Sequence, residues 1–235
     1  MEIIDAQMHV WERDHTARPW VGVGHGGPVE ATGDQAVAML DEAGIDGAII
    51  ITTPSIYGFD PSYGLQVAAD HPTRFAVVAP MDPASPDMDQ AVDEWASLPT
   101  TTGLRLMLYD DPSADRFDAG GFDAYLSAAE RTAQPMCVGG TRRFKQVAQA
   151  AERYDELQLV IDHLGMPAFR PERNEEPPFA HLSELLALAR FPNVAVKVTG
   201  MPTLSYQEFP YEDIWSPIRQ TIEAFGVDRV MWGSD

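Results

Sequence analysis

IIDAQMHVW, residues 3–11, reads as a buried strand with an unusual inner face. Side chains alternate along a strand, so Ile3, Asp5, Gln7, His9 and Trp11 fall on one side. A core strand that ends in Gln-x-His-x-Trp sets polar groups where apolar ones would cost less to bury. Such a strand calls for a scaffold that brings other polar strand ends to the same place.

Outward from this stretch, strand-like and helix-like runs alternate along the chain. Further strands are expected at residues 47–52, 75–80, 103–109, 135–138, 157–163, 194–199 and 229–233. Helices are expected at 34–43, 62–70, 87–96, 122–131 and 143–154, then around 182–189 and 214–225. The first helix closes on Gly44 and the second stops before Pro72. Met88, Ala91, Val92 and Trp95 share one helix face, as do Leu182, Leu185, Leu186 and Ala189. Strands each separated by a helix predict one domain over residues 1–235, a parallel (β/α)8 barrel of the TIM type. A doubly wound sheet would want a glycine-rich turn after the first strand, where WERDHTARPW stands instead. GVGHGG at residues 22–27 resembles a phosphate loop but neither follows a strand closely nor opens a helix, and is read as a flexible active-site loop. The chain stops on its eighth strand without an eighth helix, so the expectation is a C-terminally truncated sequence that naturally continues past Asp235 and here exposes an apolar patch.

The 235 residues are 45% hydrophobic, enough for one sizeable core. No apolar run reaches the length of a membrane span. The formal net charge of −20 disfavours nucleic acid and anionic membranes as partners. The single cysteine, Cys137, excludes an internal disulfide, reads as a packing residue and fits a reducing cytoplasm. Homo-oligomerisation is left open.

In a barrel of this kind, catalytic residues sit at the C-terminal strand ends. Strand one offers Gln7 and His9. In GLRLMLY, Leu104, Leu106 and Leu108 face the helices, which turns Arg105 inward. Strand six ends in Asp162-His163, strand seven carries Lys197 opposite Val196 and Val198, and strand eight leads to Asp235. Each has a plain structural reading: Arg105 as an ion-pair partner of Asp5, Lys197 as another ion-pair member, His163 as a hydrogen-bonded core histidine. Together they argue for a site on one rim, with Tyr57, Trp11 and Trp20 as candidate pocket walls. His15, His25, His71 and His181 are read as solvated. Ser234 lacks the G-x-S-x-G elbow of a serine hydrolase.

The runs IIDAQMHVW, IDHLGMP, NVAVKVTG and RVMWGSD, in this order and at strand ends, resemble the amidohydrolase superfamily. The resemblance is strongest to its amidohydrolase-related branch, which contains sugar-acid lactonases and the pyrone-dicarboxylate lactonase. It covers nearly the whole chain and implies a distorted (β/α)8 barrel. Metal-dependent members carry His-x-His on strand one, histidines on strands five and six, and an aspartate on strand eight. Here His9, His163 and Asp235 match, Gln7 replaces the first histidine, and strand five ends in Val138-Gly139-Gly140. Glutamine is a poor zinc ligand, so a tight binuclear centre is not expected.

The resemblance implies a hydrolase that opens a lactone of a small carboxylic or sugar acid. Asp235 would be the general base, His9 and His163 would polarise the carbonyl, Arg105 would clamp a substrate carboxylate, and Lys197 would keep Asp235 ionised. No cofactor is expected to be required, and chelator should leave most activity intact. The alternatives are a single divalent cation, zinc or manganese, on His9, His163 and Asp235, serving hydrolysis or non-oxidative decarboxylation, and a catalytically silent sugar-acid binding protein.

Overall fold

The computed structural model describes residues 1–22, 27–167 and 177–235. Its strands are β1 Ile4–Met8, β2 Gly47–Ile51, β3 Phe75–Ala79, β4 Thr101–Met107, β5 Met136–Gly139, β6 Leu159–Ile161, β7 Val194–Thr199 and β8 Val230–Gly233. Each pairs in parallel with the next, in sequence order from β1 to β8. The helices between them include α1 Gly33–Ala43, α2 Pro54–Tyr57, α3 Ser62–Asp70, α4 Met88–Ser97, α5 Asp111–Asp118, α6 Asp123–Arg131, α7 Phe144–Arg153, α8 Leu182–Ala187 and α9 Glu212–Phe225. This is the barrel that the alternation of periods predicts. The loop reading of residues 22–27 and the solvated reading of His25 fall largely on residues 23–26, outside the described residues.

Local signals explain where the elements start and stop. Thr32 and Gln35 form a capping box at the head of α1, and Gly44 ends it in the left-handed conformation at φ 70°. Asp87 caps α4 by accepting from the Gln90 amide. Helix α5 was not expected. It buries only Ala114, so it has no apolar stripe to read, and it is held by an Asp110–Ser113 capping box.

The sheet has two different faces. Leu104, Leu106, Leu108, Met136, Val138, Val194 and Val196 pack outward in one continuous core with the helices. Inside the barrel, Ile51, Val78, Cys137, Val160 and Ala195 form a separate apolar cluster. The buried polar side chains Asp5, Gln7, Arg105, Asp162 and Lys197 share the inward parity of their strands.

Where the barrel closes, a side chain takes over from the backbone ladder. Asp5 Oδ1 accepts from the amides of Gln7 (2.9 Å) and Ser234 (3.0 Å), and the Asp235 amide donates to the Gln7 carbonyl at 2.9 Å. Only glycine fits at 233: a Cβ there would lie 2.8 Å from the Gln7 nitrogen and 2.9 Å from Asp5 Oδ1. On the outer side of this seam Ile4 and Trp232 are 45% and 49% exposed. No described helix is long and apolar enough to cross a membrane.

Asp5 is buried and serves two amides, so its removal leaves two donors unpaired. Asp5→Ala is expected to lower unfolding free energy by about 2–5 kcal/mol, and Asp5→Asn, which keeps one acceptor oxygen, by clearly less. Urea titration of the variants beside the wild type measures both, and equal stability of all three would refute the role given to this carboxylate.

Candidate active site

Four side chains meet at the C-terminal rim. Gln7 Nε2 lies 3.0 Å from Asp235 Oδ1 and 3.2 Å from His163 Nε2. His9 Nε2 lies 3.1 Å from the same Asp235 oxygen. Its Nδ1 faces the Ile51 carbonyl at 2.7 Å, so Nδ1 carries a proton, and the contact to Asp235 is a hydrogen bond when Nε2 carries one as well. His163 Nδ1 is 2.8 Å from Thr199 Oγ1 and 3.4 Å from the Thr199 carbonyl. With Gln7 donating to Nε2, the His163 ring is protonated on Nδ1 and holds a lone pair toward the site.

Backbone geometry turns two of these side chains inward. His163 and Asp235 sit just beyond β6 and β8 in the left-handed region, at φ 52° and 58°. A non-glycine residue pays about 1 kcal/mol or more for this conformation, and such strain gathers at sites where a side chain must be aimed.

The electrostatics follow from burial and partners. Burial works against the Asp235 carboxylate, but hydrogen bonding and charge from His9 and the hydrogen bond of the Gln7 amide bring its pKa down to about 2. Burial lowers the His163 pKa against the pull of Asp235, so the ring stays neutral.

Beneath the rim lies a buried ion cluster that differs from the expected pairing. Arg105 Nε donates to Asp162 Oδ2 at 3.0 Å and Nη2 stands 3.0 Å from the same oxygen in the ion pair, so its partner is Asp162 and not Asp5. Lys197 Nζ lies 3.1 Å from Asp162 Oδ1, so it does not pair with Asp235. It reaches Asp235 only through Gln7, whose Oε1 accepts from Nζ at 3.3 Å. Burial opposes ionisation of Asp162, Arg105 and Lys197 alike. Their mutual attraction outweighs it, holding the Asp162 carboxylate well below its ordinary range and raising both basic groups. Arg105, with two donor nitrogens committed to Asp162, is not the free carboxylate clamp expected.

The other expected wall residues have structural partners. The Tyr57 hydroxyl is tied to Glu12, accepting from its amide at 2.9 Å. Trp11 Nε1 donates to the Pro28 carbonyl and Trp20 Nε1 to that of Glu12, which fixes both indoles in the loop after β1. His15 and His181 pair with Glu12 and Glu184, and His71 with Asp34.

Tyr109 was missed. Much of the residue is exposed, yet its hydroxyl end is sunk beside Arg105, over the space above Gly139. A Cβ on Gly139 would stand 2.5 Å from the Tyr109 hydroxyl oxygen and 3.3 Å from Arg105 Nε. The phenol therefore fills the volume that a strand-five ligand would need. Burial raises its pKa, so it is a protonated donor. Its parity with Arg105, two residues past the end of β4, is the sequence signal for its inward direction, whereas its fit above Gly139 has none.

These groups do not fit a tightly held divalent cation. His9, His163 and Asp235 approach one another, but Gln7 turns its NH2 group toward them and its oxygen toward Lys197. Among the described residues no group of three or more His, Cys, Asp or Glu has the arrangement of a metal site.

Three comparisons with known proteins bear on this rim. The L-fucono-1,5-lactonase of Burkholderia multivorans is 27% identical over 242 residues, covering 99% of this chain and 81% of that protein. The 4-sulfomuconolactone hydrolase of Hydrogenophaga intermedia is 24% identical over 213 residues, covering 88% of this chain and 66% of that protein. A crystal structure of a Burkholderia multivorans amidohydrolase with bound zinc has the same fold, with a TM-score of 0.80 at 24% identity over 100% of this chain and 84% of that one. Residues 4–235 match the family described as Amidohydrolase. Matched over nearly its whole length, the chain belongs to the amidohydrolase family.

Proposed function

We propose that this protein opens a lactone of a small carboxylic or sugar acid, using water activated by Asp235 and no resident metal. The observation that carries the reading is the division between the two Asp235 oxygens. Oδ1 is held by Gln7 and His9, whereas Oδ2 makes no hydrogen bond among the described residues and lies 3.7 Å from His163 Nδ1. A free carboxylate oxygen beside fixed N–H donors is what ester hydrolysis at a carbonyl requires. The lactone-named relatives give the substrate class.

The reaction runs as follows. Water attacks the lactone carbonyl carbon and gives a proton to Asp235 Oδ2. The carbonyl oxygen becomes an oxyanion that takes hydrogen bonds from His9 Nε2–H and the Gln7 amide. The ring C–O bond breaks, and the leaving alkoxide recovers the proton from Asp235. An Asp held near pKa 2 is a weak base in the resting site. A substrate oxygen that shares the His9 and Gln7 donors relaxes their grip on Oδ1 and raises the basicity of the carboxylate as water attacks. His163, with its lone pair toward Gln7, positions that amide and does not donate to the oxyanion. We assign the Tyr109 hydroxyl to the acid group of the substrate.

A panel of sugar-acid and muconate-type lactones, assayed by acid release, tests the reading. Asp235→Asn keeps an acceptor oxygen for Gln7 and His9 but cannot take a proton. It should fold normally, bind lactone with little change and lose about 10²–10⁴-fold in turnover. Near-wild-type turnover would remove Asp235 from the mechanism.

The low pKa of Asp235 also sets the pH profile. The base must be deprotonated, and it stays so far below neutrality, so kcat/KM should not fall as pH drops from 7 to 4.5. An acid limb within this range, below the ordinary histidine value of about 6.5, would assign the base to His163 instead, because burial lowers its pKa.

A further inference from the structure

The Lys197 ammonium carries three protons and no acceptor. Its contacts include Asp162 Oδ1 at 3.1 Å and Gln7 Oε1 at 3.3 Å. Lys197 is 2% exposed and Gln7 0%, so both are closed off from bulk solvent. An ammonium facing a carboxamide accepts one orientation only. If the amide turned over, its NH2 would point at the ammonium and its oxygen at the Asp235 carboxylate, and a change of His163 tautomer would relieve neither. Both ends would then be repelled.

We infer that Lys197 is a positioning residue that locks the Gln7 amide with its NH2 into the rim, and that this lock keeps divalent cations out. The NH2 nitrogen stands 3.0 Å from Asp235 Oδ1 and 3.2 Å from His163 Nε2, between two groups that would otherwise bind a cation. The same lock makes the rim a receiver of negative charge, which suits a developing oxyanion. The inference deepens the metal-free reading above. It concerns zinc affinity in the absence of substrate, so it stands or falls separately from the lactone assignment.

The test is a double-mutant cycle on zinc affinity, read by competition with a chromophoric chelator, for the wild type, Lys197→Met, Gln7→Ala and the double variant. Lys197→Met removes a nearby positive charge and also frees the amide to offer Oε1. In the Gln7→Ala background only the charge effect remains. Wild type should bind zinc weakly. Lys197→Met should tighten binding about 100-fold in the wild-type background and at least about 10-fold less in the Gln7→Ala background, the scale of losing an orienting partner at a metal site. Equal tightening in both backgrounds would show a simple charge effect and overturn the lock, as would tight zinc binding by the wild type. If Lys197→Met does not fold, the wild type decides by NMR. Nuclear Overhauser contacts from the Gln7 NH2 protons to the His9 and His163 rings support the lock, and contacts to the Lys197 methylenes instead contradict it.

Discussion

The Asp162 carboxylate, sealed between Arg105 and Lys197, is the interaction on which the rest of the site rests. It answers two cations from β4 and β7 in a place closed off from bulk solvent. Removing one partner of such a cluster typically costs about 3–5 kcal/mol, because a buried charge is left uncompensated. The arrangement also aims side chains. Asp162 anchors Lys197, Lys197 fixes Gln7, and Gln7 sets both the proton position on His163 and one oxygen of Asp235. Orientation passes from the barrel interior to the rim through the Asp162–Lys197 ion pair and then through the hydrogen bonds of the Gln7 amide.

The rim is built at some conformational cost. His163, Leu164 and Asp235 all sit in the left-handed region. Such backbone persists only where surrounding contacts over-determine it. Here the Thr199 hydroxyl on His163 and the Gln7 carbonyl on the Asp235 amide supply them. The barrel seam uses the same economy of parts: Asp5 braces β1 against β8, and Gly233 lets the strands come close enough for it to do so.

Much of the fold was legible because the chain alternates period-two and period-3.6 patterns with clear caps. The expected and observed β7 coincide at Val194–Thr199, as do the bounds of α3 at Ser62–Asp70. Helix α5 escaped because its polar face surrounds a single buried alanine, leaving no period to detect. The inward direction of Gln7, Arg105 and Lys197 was also legible from strand parity. Their pairing was not. Parity tells which way a side chain points but not its height in the barrel, and the stagger of adjacent strands brings Arg105 and Lys197 to Asp162, away from Asp5 and Asp235. Tyr109 was hidden for another reason. Its role depends on Gly139 leaving room across the strand pair, a relation between β4 and β5 that neither strand carries alone.

On the proposed reading, this rim opens lactones with Asp235 and without a resident cation. The most direct measurement is lactone turnover per chain as a function of the zinc and manganese content of the same preparation, determined by elemental analysis. A rate independent of metal content down to trace occupancy is expected. A rate proportional to bound metal, vanishing with it, would place a cation in the mechanism.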